Sequence, residues 1–163
     1  MLKELLIFVF TLSLMGCYSF KGISIPPEVN SFTVNLFENN AYNSAPTLGQ
    51  TLSETLRTKI LSDTRLSYAQ SEGDVEFSGV ITSYRISPIN PKPGETDTRN
   101  QLQISVRIEY TCPKNEKSNW SQTFSRNAEY NSSEDLTSIQ DQLISEINEL
   151  LVDQIFNKAF AQW

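Results

Sequence analysis

The sequence predicts an α+β fold: a two-layer sandwich with two helices packed on one face of a mainly four-stranded mixed sheet, in the order β-α-β-β-β-α. Three observations carry this. Leu102, Ile104, Val106, Ile108, Tyr110 and Cys112 alternate with Gln103, Ser105, Arg107, Glu109 and Thr111, the period-two signature of a strand with one core face and one wet face. Leu48, Leu52, Leu56 and Ile60 recur every four residues and give an amphipathic helix. A second and longer stripe, Leu136, Ile139, Leu143, Ile147, Leu150 and Leu151, widens into Ile155, Phe156, Ala159 and Phe160 near the C-terminus. Two helical stripes and one alternating sheet face are buried most economically as two layers.

The chain opens on Lys3 and Glu4, followed by an apolar run from Leu5 to Leu14. That run is too short for a spanning helix, which needs roughly 20 apolar residues. It ends in Leu14-Met15-Gly16-Cys17, which reads as a lipobox. Residues 1–16 are therefore expected to be a lipoprotein signal peptide and Cys17 the lipidated first residue of the mature chain. Several acyl chains, at about 0.8 kcal/mol per buried CH₂, make a firm membrane anchor. Residues 17–30 form an extended tether stiffened by Pro26-Pro27, and residues 31–163 a single α+β domain.

Within that domain Phe32, Val34 and Leu36 alternate with Thr33 and Asn35 as strand one. Asn39 to Ala45 reads as a loop, after which Ser44 is placed to cap the first helix, with Pro46 in its first turn. Gln50, Glu54, Arg57 and Lys59 face solvent on that helix. A brief strand is expected at Leu66 to Ala69, and strand two from Val75 to about Ile86, with Val75, Phe77, Gly79 and Ile81 in one phase. Ser87 to Asn100, with three prolines and a glycine, reads as a long exposed connection. Strand three covers Leu102 to Cys112. A Lys-bearing turn at Pro113 to Asn119 leads to strand four, marked by Trp120, Phe124 and Ala128. Ser132 or Ser133 is expected to cap the last helix, with Glu134 and Asp135 in its first turn, where the macrodipole favours acids.

Composition removes whole classes of function. The net charge of −6 argues against nucleic acid and against electrostatic attraction to anionic lipid head groups. With no histidine, His-based zinc sites and Ser-His-Asp or Cys-His nucleophile systems are excluded. Cys112 is the only cysteine besides Cys17 and falls in the apolar phase of strand three, which favours a buried, inert thiol. Nucleophile-elbow, phosphate-loop and dinucleotide signatures are absent, so neither catalysis nor a cofactor is expected. Arg85, Lys92, Arg99, Arg107, Lys114, Lys117 and Arg126 are scattered along the sheet and its loops. They serve either solubility or contact with phosphorylated sugar or lipid head groups. The wet sheet face is likewise either solvated or docked against something polar.

Several short matches then accumulate: Gly16-Cys17-Tyr18-Ser19-Phe20, Ile25-Pro26-Pro27, Phe37-Glu38-Asn39, Leu56-Arg57, Phe77-Ser78-Gly79, Phe124-Ser125-Arg126 and Phe156-Asn157. In order and spacing the chain resembles the lipopolysaccharide-assembly lipoproteins (LptE-like), in the form found in Bacteroidetes. The resemblance implies a non-enzymatic lipoprotein on the periplasmic side of the outer membrane. Its domain would plug a large outer-membrane β-barrel (LptD-like) that inserts lipopolysaccharide, with Gln103, Ser105 and Arg107 facing the barrel. It further implies lipopolysaccharide itself as a possible partner, with Arg107 and Arg126 as the nominated contacts and Lys92 and Arg99 beside them in the long loop. Tyr18, standing where an inner-membrane retention Asp would be, and the lack of an acidic run after Cys17 favour the inner leaflet of the outer membrane. The alternative is a periplasmic lipoprotein scaffold of a secretion or peptidoglycan-synthesis machine, with no lipid substrate.

Overall fold

In the computed structural model, which describes residues 24–89 and 98–161, two helices cover one face of a single mixed sheet, as the sequence predicts. The sheet has six strands, not four. Strands β1 (Ser31–Val34), β2 (Glu38–Asn39), β3 (Ser67–Tyr68), β4 (Val75–Ile89), β5 (Arg99–Thr111) and β6 (Trp120–Asn131) are joined by helix α1 (Leu48–Asp63) and followed by helix α2 (Leu136–Phe160). The order across the sheet is β3-β1-β4-β5-β6, with β2 also paired to β4. β1 and β2 run parallel to β4, and β3 parallel to β1, while β4, β5 and β6 form an antiparallel meander.

β3 is the brief strand expected near Leu66 to Ala69, and the unexpected one, β2, has a local cause. β2 continues β1 along the same edge of β4, but Val34 pairs with Phe77 and Glu38 with Val80, so one residue more is used on the β1–β2 side. This bulge reverses the side-chain phase. Leu36, expected in the core phase of strand one, is 71% exposed, and Phe37 is buried in its place at 2%. The ring of Phe37 lies over Gly79, where a Cβ would stand 2.8 Å from its Cγ and Cδ1. Its carbonyl oxygen would be 2.2 Å from a Cβ on Gly49, at the start of α1. Glycine at both positions is what lets β2, β4 and the helix meet around one phenylalanine.

Both ends of the segment read as a long loop are strand, and its middle, residues 90–97, lies outside the described residues. β4 and β5 stay paired out to Ile89 opposite Arg99, and a bulge between Ile81 and Ser83 shifts the register. Both helices also start later than expected, because the nominated caps are spent elsewhere. Ser44 Oγ lies within hydrogen-bond distance of Asn39 Oδ1 (2.8 Å) and the Ala41 carbonyl (2.9 Å), and α1 begins at Leu48. Ser132 and Ser133 sit in the turn after β6. There Asn131 Oδ1 accepts from Ser133 N–H (2.9 Å) and Glu134 returns a carboxylate to Asn131 N–H (3.1 Å). The cap of α2 is Asp135, whose side chain accepts from Thr137 N–H at 3.1 Å.

The core lies between the layers. Leu48, Leu52, Leu56 and Ile60 of α1 are fully buried, as are Ile147, Leu151 and Ile155 of α2, against Phe32, Phe77, Ile81, Ile104 and Ile108 of the sheet. Cys112 is buried too. Leu150, expected in the stripe of α2, is instead 40% exposed, because the helix turns Leu151 inward. Lys59, expected to face solvent, pairs with Asp63 on its own helix and bridges to Asp153 of α2, both at 3.0 Å.

Candidate functional site

The face of the sheet turned away from the helices is the surface the sequence nominated. β5 supplies Gln103, Ser105 and Arg107 to it, along with Arg99, Gln101 and Glu109, because these alternate with the buried Leu102, Ile104, Val106 and Ile108. Directly opposed residues of neighbouring strands share a face, so register completes the surface. Ser83, Arg85 and Ser87 of β4 stand beside Ser105, Gln103 and Gln101. Thr123, Ser125, Asn127 and Glu129 of β6 stand beside Arg107, Ser105, Gln103 and Gln101. The bulge before Ser83 makes this possible: it moves the later polar residues of β4 outward and turns Tyr84 toward the helices, where its hydroxyl accepts from Gln140 Nε2 at 3.0 Å. Partial burial raises the pKa of that tyrosine.

Hydrogen bonds knit the face across strands. Gln101 Nε2 donates to Ser87 Oγ (3.1 Å), Asn127 Nδ2 donates to Gln101 Oε1 (3.0 Å), and the Ser105 and Ser125 hydroxyls pair at 3.0 Å. Arg99 reaches Glu129 at 3.5 Å. This is a surface of mixed donors and acceptors. Around Arg107 it dips into a hollow of about 320 Å³ lined by Leu36, Glu38, Val80, Glu109 and Ser121. Leu36 and Glu38 were missed as site residues because only the β1–β2 bulge brings them there. Glu38 and Glu109 line the same hollow as Arg107, and their negative charge offsets its attraction for an anion.

The three nominated basic residues that are described do not gather on one face. Arg107 and Arg99 share the outer face, but Arg126 is opposed to Ile104 and so lies on the helix side with Phe124 and Ala128. Its Nε is buried and has no hydrogen-bond partner. Lys92, like Cys17 and the expected signal peptide, lies outside the described residues. At the opposite end of the sheet, Asp74 accepts from Asn30 N–H (2.8 Å) and Ser31 N–H (3.1 Å) and pairs with Lys114 at 2.6 Å. The Lys114 ammonium, then these backbone donors, holds its carboxyl well below the usual carboxylate range. Among the described residues no group of three or more metal-ligating side chains converges, and no helix is long and apolar enough to cross a membrane.

Comparison with known proteins returns one family. A family model described as LptE, lipopolysaccharide-assembly, matches residues 29–159. No curated protein sequence matches. Among solved structures, a minor lipoprotein from Acinetobacter baumannii is similar at 15% identity and a TM-score of 0.52, covering 78% of this chain and 91% of that one. The PelC dodecamer subunit from Paraburkholderia phytofirmans is similar at 16% identity and a TM-score of 0.51, covering 86% and 96% respectively. At these identities the likeness establishes the fold alone.

Proposed function

The chain belongs to the lipopolysaccharide-assembly (LptE) family, and from that premise we propose that it is a plug protein, anchored by acyl chains on Cys17 to the inner leaflet of the outer membrane. Its domain seats the outer face of the sheet against the lumen of a large β-barrel of the LptD kind. The observation that carries this reading is the uncovered polar face of β4, β5 and β6, whose side chains offer both donors and acceptors. The interior of a membrane barrel is polar, and such a surface fits it without burying unpaired groups.

Photocrosslinking amino acids at Gln103, Ser105 and Arg107 test the seating. They are expected to capture a large outer-membrane barrel, while the same probe at Glu146, on the exposed side of α2, captures it much less. Equal capture from both faces, or capture of a synthase or secretion ring, refutes the plug. The ring result would favour an envelope scaffold with no lipid substrate. The anchor is tested separately: Cys17→Ser is expected to leave an unprocessed or unanchored product, and mass spectrometry finding an unmodified mature N-terminus on the wild type rules lipidation out.

A further inference from the structure

On the opposite side of the domain the two helices pack side by side, joined by the Lys59–Asp153 ion pair and the Asn148–Thr51 hydrogen bond, and leave a furrow along their seam. A groove of about 860 Å³ runs between them, with Thr51, Glu54 and Thr55 on the α1 wall and Asp141, Asn148 and Glu149 on the α2 wall. From Thr47 to Ser62 the α1 wall extends about 22 Å at about 1.5 Å per residue. Four carboxylates line it: Asp141 near one end, Glu54 and Glu149 between, and Asp153 near the other. The one cation in the lining, Lys59, is already held between Asp63 and Asp153. Glu54, Asp141 and Glu149 have no ion-pair partner among the described residues.

Three of the six hydroxyls in the groove are committed as donors. Thr51 Oγ1 donates to the Leu48 carbonyl (3.1 Å) and Thr55 Oγ1 to the Thr51 carbonyl (2.7 Å). The hydroxyl proton of Ser62 has the Lys59 carbonyl and the Asp63 carboxylate as its acceptors. What these side chains offer outward is therefore lone pairs. Asn148 adds to this. It is only 2% exposed, and its Nδ2 donates across to Thr51 Oγ1 at 3.3 Å. Because Thr51 has given its proton to the helix, the amide must turn its nitrogen toward Thr51, and Oδ1 is left buried with no partner. A buried acceptor without a donor costs about 1–3 kcal/mol. Four carboxylates, three spent hydroxyls and an orphaned amide oxygen together weight the lining toward acceptors.

We propose that this groove is a docking site for an extended, lysine- or arginine-bearing segment of a partner protein. Positive side chains meet the carboxylates, and peptide N–H groups meet the hydroxyl oxygens. The spacing selects a peptide over a small amine. Asp141 and Asp153 stand about 18 Å apart along α2, whereas an extended peptide at about 3.3 Å per residue places a basic side chain on one face every 6–7 Å and spans the groove with six or seven residues. The proposal does not depend on what the sheet face contacts.

The test is fluorescence anisotropy with the full-length chain purified in detergent and a labelled hexapeptide of alternating lysine and alanine, at low ionic strength. Binding is expected, together with a loss of about tenfold in affinity when Glu54→Gln and Glu149→Gln are combined. The pair Glu76→Gln and Glu109→Gln removes the same charge from the other side of the sheet and is expected to leave binding unchanged. Equal weakening by both pairs would mean attraction to net charge only and overturns the site. So does the absence of binding by the wild type, or equal binding of a glutamate–alanine hexapeptide. Displacement by spermidine at or below the concentration at which unlabelled peptide displaces overturns the choice of a peptide as occupant.

Discussion

Leu150 and Leu151 are neighbours of identical chemistry on α2, and the structure separates them sharply. Leu151 is fully buried between the helix and the sheet, while Leu150 is 40% exposed. Replacing either by alanine deletes three carbons. At about 0.8 kcal/mol per buried carbon the transfer loss for Leu151 is about 2.4 kcal/mol, and the cavity left in a packed core brings the total to about 3–5 kcal/mol. For Leu150 only the covered part of the side chain counts, and water fills the space it leaves, so about 1 kcal/mol or less is expected. With a urea dependence near 2 kcal/mol per molar, Leu151→Ala should lower the denaturation midpoint by about 1.5–2.5 M and Leu150→Ala by about 0.5 M or less. Urea titration followed by circular dichroism reads both. Equal shifts would mean that α2 is rotated about its axis relative to the structure, and the assignment of its faces to core and solvent would fall.

Other outcomes follow from single residues. Because Asp74 is held below its usual pKa of 3.8 in the folded chain, its contribution to stability is full above about pH 5 and is lost as pH falls through the lower folded value. The gap in urea midpoint between wild type and Asp74→Asn should therefore narrow between pH 5 and pH 2, and a constant gap refutes the Lys114 pairing as its source. Arg126→Leu removes the orphaned Nε and should raise stability by about 1 kcal/mol, with Arg107→Leu within about 0.5 kcal/mol of wild type. If lipopolysaccharide binds the domain directly, salt-sensitive binding should fall on Arg107→Glu and not on Arg126→Leu, since the two lie on opposite faces. Equal losses from both would contradict that geometry. Asn148→Leu removes another orphan and is expected to raise the midpoint while weakening the basic hexapeptide; a lower midpoint would show that Asn148 Oδ1 is satisfied in solution.

The parts of the fold that were readable from sequence are those where one periodicity holds without interruption. β5 alternates for its whole length, and the α1 stripe repeats every four residues, so both were placed with the correct face inward. The failures sit where the phase changes. The buried residues of β4 fall at odd positions through Ile81, whereas Tyr84, at an even position, is the next to pack against the core, and the bulge between Ile81 and Ser83 reconciles them. Leu36 and Phe37 mark a similar slip, which no local propensity resolves because β2 is two residues long and is held by its parallel pairing to β4. The side of Arg126 was readable, since it shares the parity of the core residues Phe124 and Ala128. The groove was not. It depends on how α1 and α2, far apart in the chain, settle against each other over a shared sheet.

The placement of charge bears on orientation. The outer face of β4 to β6 carries Arg85, Arg99 and Arg107 against Glu76, Glu109 and Glu129, a balanced set. The helix groove carries four carboxylates against one lysine that is already paired. Part of the net charge of −6 is thus concentrated on the helix side. A balanced polar face can approach a polar lumen of either sign without accumulating repulsion, whereas an acidic groove selects for a basic partner. In the proposed seating the groove would face away from the barrel contact, so a basic segment could enter it without displacing the plug. A plug that entered helices first would bring the acidic groove against the lumen wall and leave the hydrogen-bonded sheet face in water, where its cross-strand pairing would serve no partner.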